Sequence, residues 1–248
     1  MGYVIFGGGR ISGGGGSGGN IPTGIEIGTL AVGSSVFMNV NGTAREFLVV
    51  NQGIPGNSSL YDSSCNGTWL LMKDLYNQHT WDSSNSNYSN SDIHTYLDGT
   101  FFGLLDSNIQ SAIKQIKIPY WYGLDSSGSL YSGSNGLSTK VFLLGGYEVG
   151  FTESMADYIS IDGACLSYFS GTSGANNKRI AYLNGTATHW WLRTGTDEDT
   201  TNRAVVRVQS NGTYSAMTCY DSYGIRPALI LPSTALVDEN TMAVKGVL

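Results

Sequence analysis

Histidine and cysteine, the side chains that most often supply bases, nucleophiles and metal ligands, are scarce in this sequence. The 248 residues include three histidines and three cysteines. No His-Glu-x-x-His motif and no Cys-x-x-Cys pair is present, and zinc proteases, zinc ribbons and thioredoxin-type sites need those spacings. Because little general-base material remains, the sequence does not support an enzyme.

The three cysteines, Cys65, Cys165 and Cys219, are far apart in the chain. Unpaired cysteines in proteins are mostly buried, so three buried free thiols are the first interpretation. One long-range disulfide is the alternative.

The only acidic cluster is Thr196-Asp197-Glu198-Asp199-Thr200. Its adjacent carboxylates could supply oxygen ligands to Ca²⁺, but the spaced ligands and central glycine of an EF-hand loop are missing. A solvated loop is therefore expected, with Ca²⁺ binding as the alternative. No other metal and no cofactor is expected.

Two arginines lie in apolar segments, Arg193 after Trp190-Trp191-Leu192 and Arg226 between Ile225 and Pro227. An arginine in such a place needs carbonyl or carboxylate acceptors, since an unpaired buried charge is very costly. We therefore expect Trp190, Trp191, Arg193 and Arg226 to form a structural frame. Contact of the arginines with a ligand is the alternative.

Tyrosine, serine, asparagine and glycine are concentrated in the segments 81–90, 120–137 and 194–223. This composition is typical of adaptable binding loops, because tyrosine gives a large contact area at a low entropic cost. Aromatic rings can also stack on sugar rings. Ordinary polar loops are the alternative. The candidate ligand-binding residues are Tyr120, Trp121, Tyr122, Tyr131, Asp197, Asp199, Tyr214, Tyr220 and Tyr223.

The elements that would position these residues are short. Alternating apolar residues around Asn41-Gly42 predict a β-hairpin over 35–51. Trp69 to Met72 would begin a strand or a short helix. Two short helices are predicted, one over 92–98 capped by Asn90 or Ser91, and one that runs from Asp106 or Ser107 through Ile116. The remaining predicted strands cover 140–150, 179–183, 189–193, 203–208, 213–218 and 225–231. Residues 120–137 read as a long loop, and the tail after Pro232 has no strong pattern.

The N-terminal residues 1–27 read as a flexible arm. A Gly/Ser tract from Gly13 to Gly19 is typical of a tether. Tyr3, Val4, Ile5 and Phe6 precede it and could add a strand to the sheet edge of a partner. The rest of the chain, 28–248, would form one α+β domain of short strands and two short helices.

Composition and charge limit the partners. The net charge is −6 and the pI is about 4.9, which argues against nucleic acid, because phosphate binding needs a basic patch. No run of 18 apolar residues predicts a membrane span, and the N-terminus lacks the features of a signal peptide. Charged residues are 13% of the chain, about half of the ~25% usual for soluble domains. Such surfaces are commoner in adhesins and virion proteins than in cytosolic enzymes.

Several ordered motifs carry a family resemblance. They are Trp69-Leu70-Leu71-Met72-Lys73-Asp74, Ser91-Asp92-Ile93-His94-x-Tyr96-Leu97, Ile113-Lys114-Gln115-Ile116-Lys117-Ile118-Pro119-Tyr120, Val141-Phe142-Leu143-Leu144, Trp190-Trp191-Leu192-Arg193 and Gly224-Ile225-Arg226-Pro227-Ala228. Over residues 69–231 the chain resembles a domain of unknown function that is widespread in Firmicutes proteins and their phages.

Residues 140–231 also resemble the C-terminal core of the C-type-lectin-like superfamily, which includes formylglycine-generating enzymes and phage receptor-binding proteins. The resemblance implies that a Trp/Arg strand and a final Gly-x-Arg strand frame a ligand face. Two features of these relatives are missing from this chain. Calcium-dependent sugar binders carry Glu-Pro-Asn and Trp-Asn-Asp triplets, and formylglycine-generating enzymes carry a close cysteine pair, where this chain has only Cys219.

The first functional hypothesis is a non-enzymatic bacteriophage virion protein, from the tail or decorating the capsid. Its arm would dock on other virion proteins, and its domain would contact a host glycan or surface protein. We expect it to be oligomeric in the particle and assembled in the bacterial cytoplasm. An enzyme similar to formylglycine-generating enzymes and a purely structural cement protein are the alternatives.

Overall fold

The computed structural model describes residues 24–56, 59–122, 128–151, 161–171, 175–196 and 204–247. These parts are mostly short strands with a few short helices, in agreement with the predicted α+β class. Several predicted functional residues lie outside the described residues: Tyr3, Val4, Ile5, Phe6, Asp197 and Asp199.

The strands of the described residues are, in chain order, β1 (Ile25–Glu26), β2 (Ser35–Val40), β3 (Thr43–Gln52), β4 (Thr68–Met72), β5 (Gln78–Thr80), β6 (Ile116–Ile118), β7 (Tyr120–Tyr122), β8 (Ser129–Tyr131), β9 (Leu137–Thr139), β10 (Val141–Phe142), β11 (Tyr182–Leu183), β12 (Thr186–Ala187), β13 (Trp190–Gly195), β14 (Ala204–Val208), β15 (Tyr214–Thr218), β16 (Ser222–Gly224), β17 (Ala228–Leu231), β18 (Leu236–Val237) and β19 (Val244–Gly246).

In the described part of the chain, three short α-helices accompany the strands: α1 (Asp92–Thr95), α2 (Ser107–Ala112) and α3 (Ala175–Arg179). Ser91 caps α1, because its side chain accepts a hydrogen bond from the His94 amide. A π-helical turn, Tyr96–Phe101, follows α1 directly. Single 3₁₀ turns lie at Ile27–Thr29, Ser63–Cys65, Tyr88–Asn90 and Ser167–Phe169.

The first five-stranded sheet has the order β10-β17-β4-β3-β2, and all its neighbouring strands are antiparallel. It contains the predicted hairpin as β2 and β3. Asn41 and Gly42 have φ angles of 51° and 70°, so both turn positions are left-handed, as a two-residue hairpin turn requires. Every residue of the central strand β4 is buried.

The second five-stranded sheet has the order β15-β14-β13-β16-β5. Strands β13 and β16 run parallel, with Trp190 opposite Gly224, and the other pairs are antiparallel. The Trp/Arg segment and the Gly-x-Arg segment of the sequence are therefore neighbours in space.

Two paired chain segments, 68–80 and 222–231, each run from one sheet into the other. Strands β4 and β5 pair with β17 and β16 respectively, and backbone hydrogen bonds bridge the bend between them. Arg226 lies at this bend. Its Nε and Nη2 donate to the carbonyls of Met72 and Lys73, both at 2.9 Å, and its guanidinium lies 5.0 Å from the Trp190 ring. Arg226 thus fastens the bend between the sheets.

Four fully buried tryptophans, Trp69, Trp81, Trp190 and Trp191, pack among the largest side chains of the core. Each indole N–H donates to a backbone carbonyl; the one of Trp81, for example, donates to Leu192 O at 3.0 Å. The core therefore gains large apolar area without leaving indole donors unsatisfied.

Several predicted elements differ from the structure. Helix α2 ends at Ala112, and Ile116 lies instead in β6, which pairs with β9. The spacing of Ile109, Ile113 and Ile116 fits a helix, but Ile116-Lys117-Ile118 alternates between buried and half-buried positions as a strand does. Because β6 pairs with β9, Ile116 adopts the strand conformation and not the helical one.

Two further predicted strands are replaced. Residues 146–150, expected to continue the strand that begins at 140, form a turn. Helix α3 occupies the start of the predicted strand 179–183, of which only 182–183 is extended. Both changes involve a buried charged residue. The turn carries Glu148 into the core, and α3 ends at Arg179, which is also buried.

The predicted loop 120–137 and the two ends of the domain are more ordered than expected. Within 120–137 lie β7, β8 and the start of β9. The tail after Pro232 forms β18 and β19, and β1 joins them in a three-stranded sheet, with Ile25 opposite Val237. Ile27 is fully buried. Residues 24–27, expected in the flexible arm, therefore belong to the folded domain.

Candidate functional site

A buried ionic cluster lies at the centre of the predicted frame. Arg193 on β13 forms a bidentate pair with Glu148, with Nη1–Oε2 at 2.6 Å and Nη2–Oε1 at 2.8 Å. Its other hydrogen bonds go to the carbonyls of Pro119, Leu143 and Asp162. All five guanidinium N–H donors therefore have acceptors. Both side chains of the pair are completely buried.

Asp162 completes this cluster. Its Oδ2 lies 3.8 Å from Arg193 Nε and accepts a hydrogen bond from the Thr194 hydroxyl at 2.6 Å. Its Oδ1 is buried and has no hydrogen-bond partner among the described residues. Burial raises the pKa of Asp162 to about 6, against the attraction of Arg193 and the Thr194 hydrogen bond, and repulsion from Glu148 adds to the rise.

Close backbone packing encloses the cluster. A Cβ atom on Gly145 would lie 2.6 Å from Asp162 Oδ1, and one on Gly163 would lie 2.9 Å from the Tyr61 hydroxyl. Tyr61 in turn donates to Glu148 Oε1 at 2.8 Å. Side chains at the two glycines would collide with the ionic groups, so glycine is needed at both positions.

The predicted polar binding loop 81–90 is partly buried, and its buried residues serve as support. Trp81, Asp82, Ser86 and Tyr88 are all buried. The Asp82 carboxylate accepts from backbone amides of its own loop, and the Tyr88 hydroxyl accepts from the Leu143 amide at 2.8 Å. These buried polar groups are used inside the protein, while Ser83, Ser84 and Asn90 remain exposed, so the interpretation of this segment as a contact loop stays a prediction.

The expected surface 194–203 also begins inside the protein. Thr194 and Thr196 are 3% and 2% exposed, and the Thr194 hydroxyl belongs to the ionic cluster. Residues 197–203, with the candidate Ca²⁺ ligands, lie outside the described residues. The structure therefore places no exposed contact surface at the start of this segment.

Four of the predicted ligand-binding residues come together in one ribbon, which we call the aromatic hairpin: β7 (Tyr120–Tyr122) and β8 (Ser129–Tyr131). Tyr120 lies opposite Tyr131, with ring centroids 5.4 Å apart and planes inclined by 23°. The Tyr122 ring packs edge-on against Tyr131 at 6.2 Å. Tyr122 and Tyr131 are 48% and 39% exposed. Three tyrosine rings thus form one cluster with two exposed members.

The frame holds the aromatic hairpin from beneath. Pro119, directly before β7, offers its carbonyl to Arg193 Nε at 3.1 Å. Burial raises the pKa of Tyr120, which a hydrogen bond with Ser89 opposes. Trp121, between the two tyrosines of β7, is half-buried, and its Nε1 is buried without a hydrogen-bond partner in the described part of the chain. The ribbon is therefore anchored at Pro119 and through the half-buried members Tyr120 and Trp121.

The remaining three candidate tyrosines are separated. Tyr214 packs against Phe151, with ring centroids 5.3 Å apart. Tyr223 packs edge-on against Trp191 at 4.8 Å and lies under the Arg207 guanidinium. Tyr220, in the turn after β15, is 42% exposed. They lie on strands β15 and β16 of the second five-stranded sheet or in the turn between these strands, outside the aromatic hairpin.

Sequence reasoning missed Glu148, Asp162 and Tyr61. A signal existed for Glu148, since it follows an apolar strand and a Gly-Gly pair in a segment with little other charge. A buried acid needs a positively charged partner just as a buried arginine needs an acceptor, so the same argument could have been applied to Glu148. No local pattern marks Asp162, which lies 31 residues from Arg193.

The cysteines, the possible metal ligands and the pocket of the described residues are weaker candidates for a functional site. Cys65 and Cys219 are buried, Cys165 is half-buried, and none of the three forms a disulfide. This agrees with the first interpretation except that Cys165 is not fully buried. No group of three or more His, Cys, Asp or Glu side chains that could hold a metal occurs in the described ranges. A polar pocket of about 220 Å³ near the C-terminus is lined by Asp238 and Lys245, which pair at 2.9 Å and neutralise each other.

Within the same described ranges, no helix has both the length and the apolar character to cross a bilayer.

Comparison with known proteins gives one finding. Residues 66–233 match the family model described as Domain of unknown function (DUF6273), close to the 69–231 expected from the motifs. Comparison with curated proteins and with solved structures gives no match. The family match spans both five-stranded sheets except β2 and β3, the ionic cluster and the aromatic hairpin. This chain belongs to the DUF6273 family of domains of unknown function.

Proposed function

We propose that this protein is a carbohydrate-binding virion component of a bacteriophage, from the tail or decorating the capsid. The observation that carries the binding function is the exposed tyrosine cluster of the aromatic hairpin. Tyr122 and Tyr131 are exposed, and Tyr131 packs against both Tyr122 and half-buried Tyr120. The virion assignment rests on the charge-poor, glycine-rich composition and on the resemblance to phage proteins.

The chemistry of the aromatic hairpin suits a glycan. Aromatic rings pack against the apolar C–H faces of sugars, and tyrosine hydroxyls supply hydrogen bonds at the rim. The cluster is preorganised, since Tyr120 and Tyr131 are a cross-strand pair on an anchored ribbon. Binding would therefore cost little ordering of side chains.

We also propose that the domain is C-type-lectin-like. The resemblance implies that a Trp/Arg strand and a Gly-x-Arg strand lie side by side and frame a ligand face. Strands β13 and β16 are adjacent, with Trp190 opposite Gly224, and Arg193 on β13 holds Pro119 at the base of the aromatic hairpin. This adjacency supports the proposal.

An enzyme similar to formylglycine-generating enzymes is the second candidate. It would need Cys219 as its reactive thiol, but Cys219 is fully buried, so a substrate could not reach it without rearrangement. Replacing Cys219 with Ser and measuring oxidation of cysteine-containing peptides tests this alternative, and a turnover that depends on Cys219 would support it. A structural cement protein is the third candidate, distinguished by the absence of glycan binding.

A glycan array with the full chain tests the binding function. We expect retention of at least one glycan class by the wild type. Affinity should fall roughly 5- to 10-fold for each of Tyr122→Ala and Tyr131→Ala, because one aromatic contact contributes about 1 kcal/mol. Tyr182→Ala is the matched control, since Tyr182 is a 45% exposed tyrosine on a separate two-stranded ribbon. Equal binding by all three variants would rule out the aromatic hairpin.

The N-terminal arm is proposed to dock the protein on other virion proteins and so to display the domain outward. Removal of residues 1–23 should abolish incorporation into particles and leave the domain folded, because β1 and Ile27 remain. Particles that contain the shortened protein at the wild-type level would disprove the docking role.

A further inference from the structure

Arg207 on β14 is held in a fixed position by groups that do not neutralise it. Its Nε donates to Ser215 Oγ at 2.9 Å, and its guanidinium carbon lies 4.1 Å from the centre of the Tyr223 ring. Tyr223 is itself packed edge-on against Trp191 and His189, at 4.8 and 5.7 Å. We call Arg207, Ser215, Tyr223 and His189 the Arg207 cluster.

The guanidinium of Arg207 has no acidic partner among the described residues. The ion pairs there join Lys73 to Glu46, Arg193 to Glu148 and Asp162, and Lys245 to Asp238. The other half-buried or buried arginines, Arg179 and Arg226, are hydrogen-bonded to backbone carbonyls, although Nη1 of fully buried Arg226 has no hydrogen-bond partner among the described residues. In contrast, within the described part of the chain Arg207 makes one hydrogen bond through Nε, so its two terminal nitrogens keep their donors available.

The neighbours of Arg207 supply further donors. His189 Nδ1 accepts a hydrogen bond from the Ser210 amide at 3.0 Å, so the proton of the neutral ring lies on Nε2. Ser215 Oγ accepts from Arg207, which leaves its own hydroxyl proton to donate. Burial lowers the pKa of His189, and the positive charge of Arg207 lowers it further. The cluster is thus rich in donors and positive in potential, on a protein with a net charge of −6.

All four members are half-buried, so they are partly shielded from water but still reach the surface. Partial desolvation strengthens a charge-assisted hydrogen bond. A planar guanidinium whose position is fixed by an aromatic ring also loses little entropy when it binds. These are the properties of a site for an oxyanion, because carboxylate and phosphate groups accept two parallel N–H donors from arginine.

We propose that the Arg207 cluster binds the carboxylate or phosphate group of an anionic ligand, with the terminal nitrogens of Arg207 as the main donors and the Tyr223 ring as their support. Ser215 and His189 are the secondary donors. The proposal goes beyond glycan binding and does not depend on the aromatic hairpin.

The test is an NMR titration of the full chain, following the Arg207 Nε–H and His189 ring signals. Glucuronic acid, glucose 6-phosphate and glucose serve as the carboxylate, phosphate and neutral probes. We expect saturable shifts with one or both anionic sugars at millimolar concentrations, as suits a small ligand, and none with glucose. The anion that binds more tightly identifies the group that the site prefers.

Substitutions separate the site from general charge effects. Arg207→Gln should weaken binding of the anionic sugars at least tenfold, and Arg207→Lys should weaken it several-fold because the planar fork is lost. Arg45→Gln is the matched control, since Arg45 is an exposed arginine on β3, and should leave the affinity unchanged. Half-buried Arg207 tolerates substitution better than the buried arginines, and far-ultraviolet circular dichroism verifies folding.

Three results would overturn the proposal: no saturable shift with either anion, equal binding of glucose, or unchanged affinity in both Arg207 variants. None of these outcomes bears on the aromatic hairpin, whose test uses Tyr122 and Tyr131. The two proposals can therefore fail separately.

Discussion

At the scale of single residues, the main feature is an imbalance of charge in the core. Arg193 carries one positive charge and faces the carboxylates of Glu148 and Asp162, all three buried. With both acids ionised, the cluster would carry a net charge of −1 in a medium of low polarity. A proton on Asp162 makes it neutral. Burial is the main cause of the raised pKa of Asp162, and repulsion from Glu148 adds to the rise.

The raised pKa predicts a specific dependence of stability on pH. Asp162 binds its proton more tightly in the folded state, where its pKa is about 6, than in the unfolded state, where it is near 3.8. Its contribution to stability is therefore complete below the unfolded pKa and is lost as the pH rises through the folded one. The loss should be on the order of 3 kcal/mol between about pH 4 and 6.5.

Urea unfolding of the wild type and of Asp162→Asn over this pH range measures the effect. The variant does not titrate at this position, so the wild type should lose stability relative to it as the pH rises. Asp62→Asn is the control, because hydrogen bonds from Ser64 lower the pKa of Asp62 below 3.8, although burial acts weakly against them. Asp62 is therefore ionised in both the folded and the unfolded state over most of this range, and the difference between the wild type and Asp62→Asn should stay nearly constant. A constant difference between the wild type and Asp162→Asn would contradict the prediction.

At the scale of elements, the tip of the β14–β15 hairpin is packed directly on helix α3. Gly212 has a φ angle of 82°, and a Cβ atom there would lie 2.0 Å from the Asn176 carbonyl oxygen in α3. The carbonyl of Gly212 accepts a hydrogen bond from Arg179 Nε at 2.8 Å. The hairpin and the helix therefore fix each other through backbone atoms.

Comparison of two turn glycines separates backbone strain from packing. Gly42 also has a positive φ, 70°, but a Cβ atom there would meet nothing within 4 Å. Gly42→Ala should cost about 1 to 2 kcal/mol, from the left-handed conformation alone. Gly212→Ala should cost about 1 to 3 kcal/mol more, since the added methyl group displaces α3.

Both glycine variants are compared by urea unfolding at one pH. Equal losses of stability at the two positions would mean that α3 yields freely and that the contact is not a constraint.

At the scale of the whole molecule, the domain is closed by its two ends. Strand β1 pairs with β18, and Ile27 donates its amide to Ala235 O at 2.8 Å while its side chain is fully buried. Gln52 Nε2 donates to the Ile27 carbonyl at 3.1 Å. The segment 24–29 thus ties the C-terminal sheet to the first five-stranded sheet.

Two truncations test this closure. A chain that begins at residue 24 should unfold with the wild-type free energy to within about 0.5 kcal/mol, because no contact of β1 or Ile27 is removed. A chain that begins at residue 30 should lose at least about 3 kcal/mol, since burial of a single isoleucine already contributes roughly 2–5 kcal/mol. Equal stability of the two truncated chains would place the domain boundary after residue 29.

Local patterns were enough to predict the hairpin of β2 and β3, the cap of α1 and the strands β13 to β15. Each of these depends on neighbours in the sequence: a two-residue turn that needs left-handed positions, a serine before a helix, or a run of apolar residues. The apolar surroundings of Arg193 and Arg226 likewise indicated that each would need acceptors. The aromatic residues of the β7–β8 ribbon were predicted as candidates by composition alone.

Only the tertiary structure decided which distant residues meet. Glu148 and Asp162 reach Arg193 because a turn replaces the expected strand and the chain returns from a distant segment. Residues 81–90 look like a surface loop by composition, but four of them are buried: Trp81, Asp82, Ser86 and Tyr88. Arg207 and Tyr223 become one cluster through the arrangement of β14, β13 and β16 in one sheet. The sequence determines the local conformations and shows that a buried charge needs a partner. Which residue becomes that partner depends on long-range packing, which no local pattern encodes.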